Sequence, residues 1–405
     1  MRLLHVLPRV PFPADTGGTL RALQVLRALD AAFEVTVLAP DLPEGDPAGL
    51  RALLRARVMV VPEPGGTARR VWTESAAVVR GRPLGYARYA GRALRAAARH
   101  LLQEQRVDLV HFDHLHAAQL LPEARALAPG ARLVMDAHNV EAQVAARLAE
   151  VSTFPIRFVL RQQARAVERL ETWAARGVDA VLACSELDAA AFRQSGAKEV
   201  HVVPNGAELR PLPASSGPRD LVSFVGSMDW RPNADAAVVL AREIWPRVRQ
   251  ASPGLRLALI GRRPPAQVRD LGAPDIEVTG RVDDVAPWLA RSFATAMPLR
   301  AGSGTRLKVL EAAAARVPIV CTRLASEGLP LVDGQHLVHA ETPEEFVAAL
   351  VRLRREPDLA VRLTDAAWNV AQEFDWRRIG AWLVELYRGW TAGAAARPRA
   401  LSSAG

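Results

Sequence analysis

A chain of 405 residues is too long for one hydrophobic core and implies two or three domains. Half of it is apolar and 23% is charged, an ordinary globular balance, and no apolar stretch approaches the length of a membrane-spanning helix. The net charge of +9 suits nucleic acid, anionic membrane or anionic small molecules, but no Lys/Arg block with interleaved aromatics is present, which argues against nucleic acid.

From the N-terminus, Arg2 leads into a β-like run, Leu3–Leu7, and then Pro8. That pattern is unlike a signal peptide, and the chain is expected to be cytoplasmic. Short β-branched runs then alternate with amphipathic stretches. Strands are expected at Leu3–Leu7, Glu34–Leu38, Val58–Val61, Leu109–Phe112, Leu133–Asp136, Ala180–Ala183 and Val200–Val203. A second series is expected at Leu221–Val225, Leu257–Ile260, Ile276–Val278, Thr295–Pro298 and Ile319–Cys321. Helices fill the gaps, among them Gly18–Leu29, Arg88–Gln103 and Ala234–Arg249. This alternation predicts an α/β protein with parallel sheets covered on both faces. Between the two series, Pro204 to Arg219 carries four prolines, two glycines and Ser215-Ser216, a linker composition. The expected organisation is a Rossmann-like lobe over 1–204, a linker over 205–219, a second such lobe over 220–374, a C-terminal helix over 375–390 packing back on the first lobe, and a disordered tail over 391–405. Cys184 and Cys321 sit in strand-like apolar settings and read as buried thiols, not a disulfide or a metal pair.

Three features carry chemistry. The first strand runs through Pro8 to Thr16 into Gly17-Gly18 and a helix, a turn in which backbone N–H groups can approach an anion or a sugar hydroxyl. Arg21, one turn further, faces either that ligand or solvent. Four of the nine histidines fall between His111 and His138. The runs His111-Phe112-Asp113-His114-Leu115-His116 and Asp136-Ala137-His138-Asn139-Val140-Glu141 both end strands, where ligand-binding residues of such sheets belong. Imidazoles there act as bases or hydrogen-bond hydroxyls. A zinc site lacks cysteine ligands or a His-Glu-x-x-His pattern.

The strongest signal is Pro298 to Glu311. A strand runs into Leu299-Arg300-Ala301-Gly302-Ser303-Gly304-Thr305-Arg306 and a helix. The Gly302-Ser303-Gly304-Thr305 turn offers N–H donors at a positive helix end, which suits a diphosphate. Lys308 adds a compact charge, and Glu311, three residues on, can accept both hydroxyls of a ribose. All but two of the 52 Lys and Arg residues are arginine. A lysine retained against that bias marks a site where a guanidinium fork does not fit. The other lysine, Lys198, reads as part of a surface turn.

The run Pro298 to Ala312, followed by Val317-Pro318-Ile319-Val320, resembles the donor-binding signature of the GT-B retaining glycosyltransferases of family four. Val203-Pro204-Asn205-Gly206 resembles that family's inter-lobe junction. Phe224-Val225-Gly226-Ser227-Met228-Asp229-Trp230-Arg231-Pro232-Asn233 and Asp136 to Glu141 resemble an exopolysaccharide-type sugar transferase subgroup. Gly280-Arg281-Val282-Asp283-Asp284-Val285 resembles the strand–turn near the nucleobase. The resemblance spans residues 1 to about 390 and is most specific in the second lobe. It implies a GT-B fold, two Rossmann-like doubly wound lobes facing across a cleft. The implied donor set is Gly226, Arg262, Val282, Gly302, Ser303, Gly304, Thr305, Lys308 and Glu311. Glu311 matches the second glutamate of the family's Glu-x7-Glu motif, but Ser303 stands where the first belongs. Ser227 replaces the arginine usual after the first strand of the second lobe, and Arg262 is a candidate substitute. His111-Phe112-Asp113-His114 stands for the family's His-x-His, so Asp113 or His114 takes that catalytic position together with His138. Gly17, Gly18 and Arg21 are the expected acceptor or sugar loop.

The implied activity is transfer of a sugar from a nucleotide-diphosphate sugar to a hydroxyl of a polysaccharide or glycolipid, with retention. The sequence contains no Asp-x-Asp motif, and no metal or other cofactor is expected. The expected partners are the nucleotide sugar, the saccharide or glycolipid acceptor and, through the basic surface, the inner face of an anionic membrane. The competing readings are a catalytically degenerate scaffold of the same fold, favoured by the loss of the first glutamate, and a nucleotide-sugar epimerase, which needs a carboxylate set not seen assembled.

Overall fold

The structure is a computed structural model that describes residues 1–62, 76, 81–86, 89, 91–150, 152–209, 218–301 and 307–391. Gly302, Ser303, Gly304 and Thr305, most of the expected linker and all but the first residue of the expected tail lie outside the described residues. The chain divides into two units: a first lobe from Met1 to Pro204, joined by the stretch that begins at Ile379, and a second from Asn205 to Arg378.

Among the described residues, seven strands build the first lobe: β1 Arg2–Val6, β2 Glu34–Asp41, β3 Arg57–Pro62, β4 Leu109–Asp113, β5 Arg132–Ala137, β6 Ala180–Ala183 and β7 Val200–Val202. They are parallel and lie in the order β3-β2-β1-β4-β5-β6-β7. Helices cover both faces, so the strands read as near-continuous apolar runs. Leu4, Val6, Val110, Phe112, Leu133 and Met135 form the centre of the core. The chain leaves β1 toward β2 and β3 and then returns to the other side of β1 as β4. This puts a topological switch, the usual ligand position, at the carboxyl ends of β1 and β4. The register sets His5 beside His111 on β1 and β4, and Asp113 beside Asp136 on β4 and β5.

The second lobe repeats the plan with β8 Leu221–Val225, β9 Arg256–Ile260, β10 Ile276–Gly280, β11 Ser292–Met297, β12 Ile319–Cys321 and β13 Val338–His339. The order is β10-β9-β8-β11-β12-β13, again all parallel, with the switch between β8 and β11. Two residues are too few to show a period, so β13 is not visible as a pattern in the sequence. The helix expected over Ala234–Arg249 is instead broken. An α-helix at Arg231–Val239 passes through a π turn at Leu240–Ile244 into a second helix at Trp245–Ala251. Pro246 has no N–H to donate to the preceding turn, and the N–H of Trp245 reaches back five residues to Leu240.

The last helix, Trp376–Thr391, starts in the second unit and continues into the first. Ile379, Leu383, Leu386 and Tyr387 recur at helical spacing and are all buried. Among the described residues, no helix is long and apolar enough to cross a membrane.

Candidate functional site

At the carboxyl ends of β4 and β5, two carboxylates lie side by side in the interior. Asp113 and Asp136 are both buried. Adjacent buried charges of one sign require cations. Asp136 takes Arg21, whose Nη2 lies 2.6 Å from Oδ1 and whose Nε lies 3.2 Å from both carboxylate oxygens. The rest of the fork is also used, because Nη1 donates to the carbonyls of Val203 at 2.9 Å and Pro204 at 3.2 Å. Burial works against the guanidinium charge, and Asp136 more than offsets it, so the Arg21 pKa lies above its ordinary value.

Asp113 takes His138, whose Nε2 is 3.1 Å from Oδ1. Burial would raise the Asp113 pKa, but the charge and hydrogen bond of His138, with His5 and His114 nearby, hold it well below the usual carboxylate range. His138 Nδ1 is buried without a hydrogen-bond partner among the described residues. It faces Gly18: the position a Cβ would occupy there is 3.6 Å away. Gly17 and Gly18 are exposed at the start of the helix Gly17–Ala32, whose capping box pairs Thr16 with Thr19. Arg9 donates to the Thr16 hydroxyl at 2.9 Å. The glycine turn and His138 therefore form one wall at the switch of the first lobe.

More imidazoles extend this wall. His114 follows Asp113 with a left-handed φ of 73° and packs its ring 4.4 Å from that of His138. Its Nδ1 lies 3.3 Å from Nδ1 of His116 and 3.6 Å from a carboxylate oxygen of Glu141. Burial, then the neighbouring histidines, push the His114 pKa well below its ordinary value, and burial pushes Glu141 up. His116 stacks on Tyr86 at 4.1 Å. Behind β4, Nδ1 of His111 meets the Tyr387 hydroxyl at 2.6 Å, and burial lowers the His111 pKa to about 4. The carboxyl of Glu171 accepts the N–H of Glu141 at 2.8 Å and is pushed up to about 8, chiefly by burial. It thus caps the helix Glu141–Glu150 with little charge at neutral pH. Among the described residues, two sets of groups have potential metal-ligand atoms within 4.8 Å of one another: His5, His111 and Asp113, and Asp113, Asp136 and His138. In the second set, Arg21 and His138 already occupy carboxylate oxygens.

The second-lobe site is built around one ammonium. Lys308 lies in the first turn of the helix Leu307–Ala314. Its Nζ donates to Asn233 Oδ1 and sits 4.6 Å from the centre of the Phe224 ring. The other end of the Asn233 amide donates to the Ser227 carbonyl at 2.9 Å. Gly226, directly after β8, makes room for both groups. A Cβ there would stand 2.6 Å from Asn233 Nδ2 and 2.9 Å from Lys308 Nζ. Gly261, directly after β9, is equally constrained, since a Cβ would meet the Gly226 carbonyl oxygen at 1.8 Å. Arg262 pairs with Asp229 at 3.2 Å and is mostly buried. The segment that enters the donor turn is tied down on both sides: Thr322 Oγ1 donates to the Leu299 carbonyl at 2.8 Å, and Arg300 forks onto Asp235. Glu311 is half-buried, one turn beyond Lys308.

The structure thus brings together Asp113, His114, His138 and Gly18 in the first lobe, and Gly226 and Lys308 in the second. Arg21, expected to face either the ligand or solvent, is 1% exposed, and it donates to Asp136 and to the carbonyls of Val203 and Pro204. Val282 packs against Leu221, Ala258 and Ile260 in a small apolar cluster. Lys198 is exposed and pairs with Asp179 at 3.4 Å, as a surface residue. Sequence reasoning missed Phe224 and Asn233 as partners of Lys308, although both stand in the run from Phe224 to Asn233. It also missed Tyr387, which lies 276 residues from His111.

Residues 16–206 match the model of the glycosyl transferase 4-like domain, and residues 219–356 match that of glycosyl transferases group 1. A phosphatidyl-myo-inositol mannosyltransferase of Propionibacterium freudenreichii subsp. shermanii is 30% identical over 247 residues, covering 57% of this chain and 60% of the relative. The chain spans less than two thirds of the length of the curated relatives it matches. Its fold is similar to that of sucrose-phosphate synthase from Thermosynechococcus elongatus, with a TM-score of 0.74 and 16% identity over 97% of this chain and 100% of that one. It is also similar to Anabaena HepE in complex with UDP and glucose, with a TM-score of 0.68 and 16% identity over 96% of this chain and 99% of that one. By fold and by both of its domains, the chain belongs to the GT-B glycosyltransferases.

Proposed function

We propose that this chain transfers a sugar from a nucleotide-diphosphate sugar to a hydroxyl of a polysaccharide or glycolipid, as a retaining, metal-independent enzyme of the family-four exopolysaccharide type. The observation that carries the reading is the Lys308 ammonium, held between Asn233 and Phe224 against side-chain-free Gly226 at the switch of the second sheet. A lysine anchored at a strand end beside a bare backbone is suited to a diphosphate. As the bond to the anomeric carbon breaks, negative charge builds on the leaving diphosphate. A cation already in position stabilises that charge without reorganising. The turn Gly302-Ser303-Gly304-Thr305 would add N–H donors, Glu311 would bind the ribose, and Arg262 and Val282 would border the nucleotide.

In the first lobe, His138 faces the sugar, Asp113 orients it, and His114 stays neutral beside it. The glycine turn at Gly17 and Gly18 supplies backbone groups. Each lobe supplies its own donors, Arg21 and His138 beside the first-lobe carboxylates and Lys308 in the second, and this supports a reading without a metal. The HepE structure holds UDP, which makes UDP the first donor fragment to test. The reading places the enzyme in the cytoplasm, on the inner face of the membrane that carries its acceptor. The degenerate-scaffold and epimerase readings are not favoured.

Calorimetric titration of Lys308→Ala with UDP and with uridine tests the assignment. Loss of one charge-assisted contact is worth roughly 1.5–3 kcal/mol, so UDP affinity falls about 10- to 150-fold while uridine affinity holds. Equal losses for both ligands would remove Lys308 from the diphosphate.

A further inference from the structure

Among the described residues ten large hydrophobic side chains are exposed, and four of them fall within six residues, Phe154, Ile156, Phe158 and Val159. Phe154 is 83% exposed and Phe158 59%. They begin the helix Ile156–Gly177, whose buried stripe, Ala164, Val167, Glu171 and Ala174, starts two turns later. The first two turns therefore project from the lobe without burying any residue. Leu84, 58% exposed, joins them, because its N–H bonds the side chain of Gln163 at 2.7 Å, one turn beyond Val159.

The charge carried by the tip's own sequence has one sign. Residues 151–167 contain three arginines and no acidic residue. Arg157 folds back on the Ser152 carbonyl at 2.8 Å and closes the preceding turn. Arg161 and Arg165 follow Phe158 at three and seven residues, on the same helix face. An apolar tip with a cationic collar is the composition of a surface that lies in a lipid interface. The rings enter the acyl boundary and the guanidinium groups meet anionic headgroups. Monomeric proteins rarely leave such a patch in water.

We propose that the projecting start of the helix Ile156–Gly177, with Phe154 and Leu84, is a docking surface for an anionic lipid bilayer. The proposal deepens the membrane-acceptor reading above by naming the surface, and its test does not use the donor site.

Flotation with vesicles of phosphatidylcholine alone, and of phosphatidylcholine with phosphatidylglycerol, reads the surface directly. The full chain binds the mixed vesicles and not the neutral ones, and salt weakens the binding. Phe154→Ser with Phe158→Ser lowers binding about ten-fold or more. Arg161→Gln with Arg165→Gln lowers it by a similar factor and flattens its salt dependence. Both pairs are exposed, and circular dichroism of each variant matches the parent. The proposal is overturned if the parent ignores the mixed vesicles or if both double variants bind as the parent does. It is also overturned if sedimentation shows a dimer that the Phe154/Phe158 variant breaks while vesicle binding is unchanged. The last result would assign the face to a second copy of this chain. UDP titration without vesicles reports the donor site alone, so either reading can fail without the other.

Discussion

Replacing Arg21 by methionine keeps the buried stem and removes the charge. Three consequences can be read from the structure. Asp136, fully buried, loses its bidentate partner. The carbonyls of Val203 and Pro204 lose their donor at the end of the first lobe. Asp113 on the neighbouring strand then stands beside an uncompensated carboxylate of like charge. Breaking a buried pair from one side costs about 3–5 kcal/mol, mainly the burden of the orphaned charge. For a unit of about 200 residues, each kcal/mol moves the midpoint by about 2–4 °C, so the expected fall is about 6–20 °C. Removing both charges is a different perturbation, because an apolar pair in the same volume is often neutral. Arg21→Met with Asp136→Leu should therefore be more stable than Arg21→Met alone, with a coupling of about 2 kcal/mol or more. Urea and thermal unfolding followed by circular dichroism measure both. A single-variant loss under about 1 kcal/mol, or a double variant no better than the single, would refute the account of Arg21 as an internal counter-ion.

Gly18→Ala places a methyl at ordinary contact distance, 3.6 Å, from His138 Nδ1, so the fold should be retained. Turnover should fall by about ten-fold or more if a substrate hydroxyl uses that space, and full activity would count against it. The Asp113 carboxyl is held well below the usual range in the folded chain. Its stabilising contribution is thus complete above its unfolded pKa of about 4 and is lost as pH falls through the lower folded value. Asp113→Asn should flatten the acid limb of the stability profile, and an unchanged limb would contradict this. Chelator should leave turnover intact, and restoration of lost activity by added divalent cation would defeat metal independence.

The pattern of strands was legible because parallel strands covered on both faces must be apolar throughout. Ala180–Ala183, Leu221–Val225 and Ile319–Cys321 were found to the residue. What escaped depends on tertiary pairing. β13 has two residues and exists because β12 offers it an edge. Arg21 resembles any arginine one turn into a helix, and its partner is 115 residues away. Lys308 was legible for a reason unrelated to spacing, namely its rarity in an arginine-biased chain. Its supports were not: a phenylalanine at the end of a strand reads as core, and an asparagine after a proline reads as a helix start. Asn233 and Phe224 do both jobs and also hold the ammonium.

The two lobes handle charge in complementary ways. In the first, two carboxylates are brought into register by the sheet itself, and each receives a different kind of partner. Arg21 is permanently charged and has its donors turned inward, so Asp136 is silent chemistry. Asp113 fixes which nitrogen of His138 is committed: Nε2 is held by the carboxylate, so Nδ1 is the one turned toward the glycine turn. A neighbouring carboxylate that sets a histidine's tautomer and direction is a positioning device. Asp113 bonds His138, whereas His114 is directed toward His116 and Glu141. In the second lobe the central group is an ammonium. The Asn233 amide accepts its hydrogen bond and the Phe224 ring lies beneath it. A cation fixed beside the bare backbone of Gly226 suits an anionic ligand, and for that reason Lys308, more than any glycine of the turn it follows, carries the argument for a diphosphate.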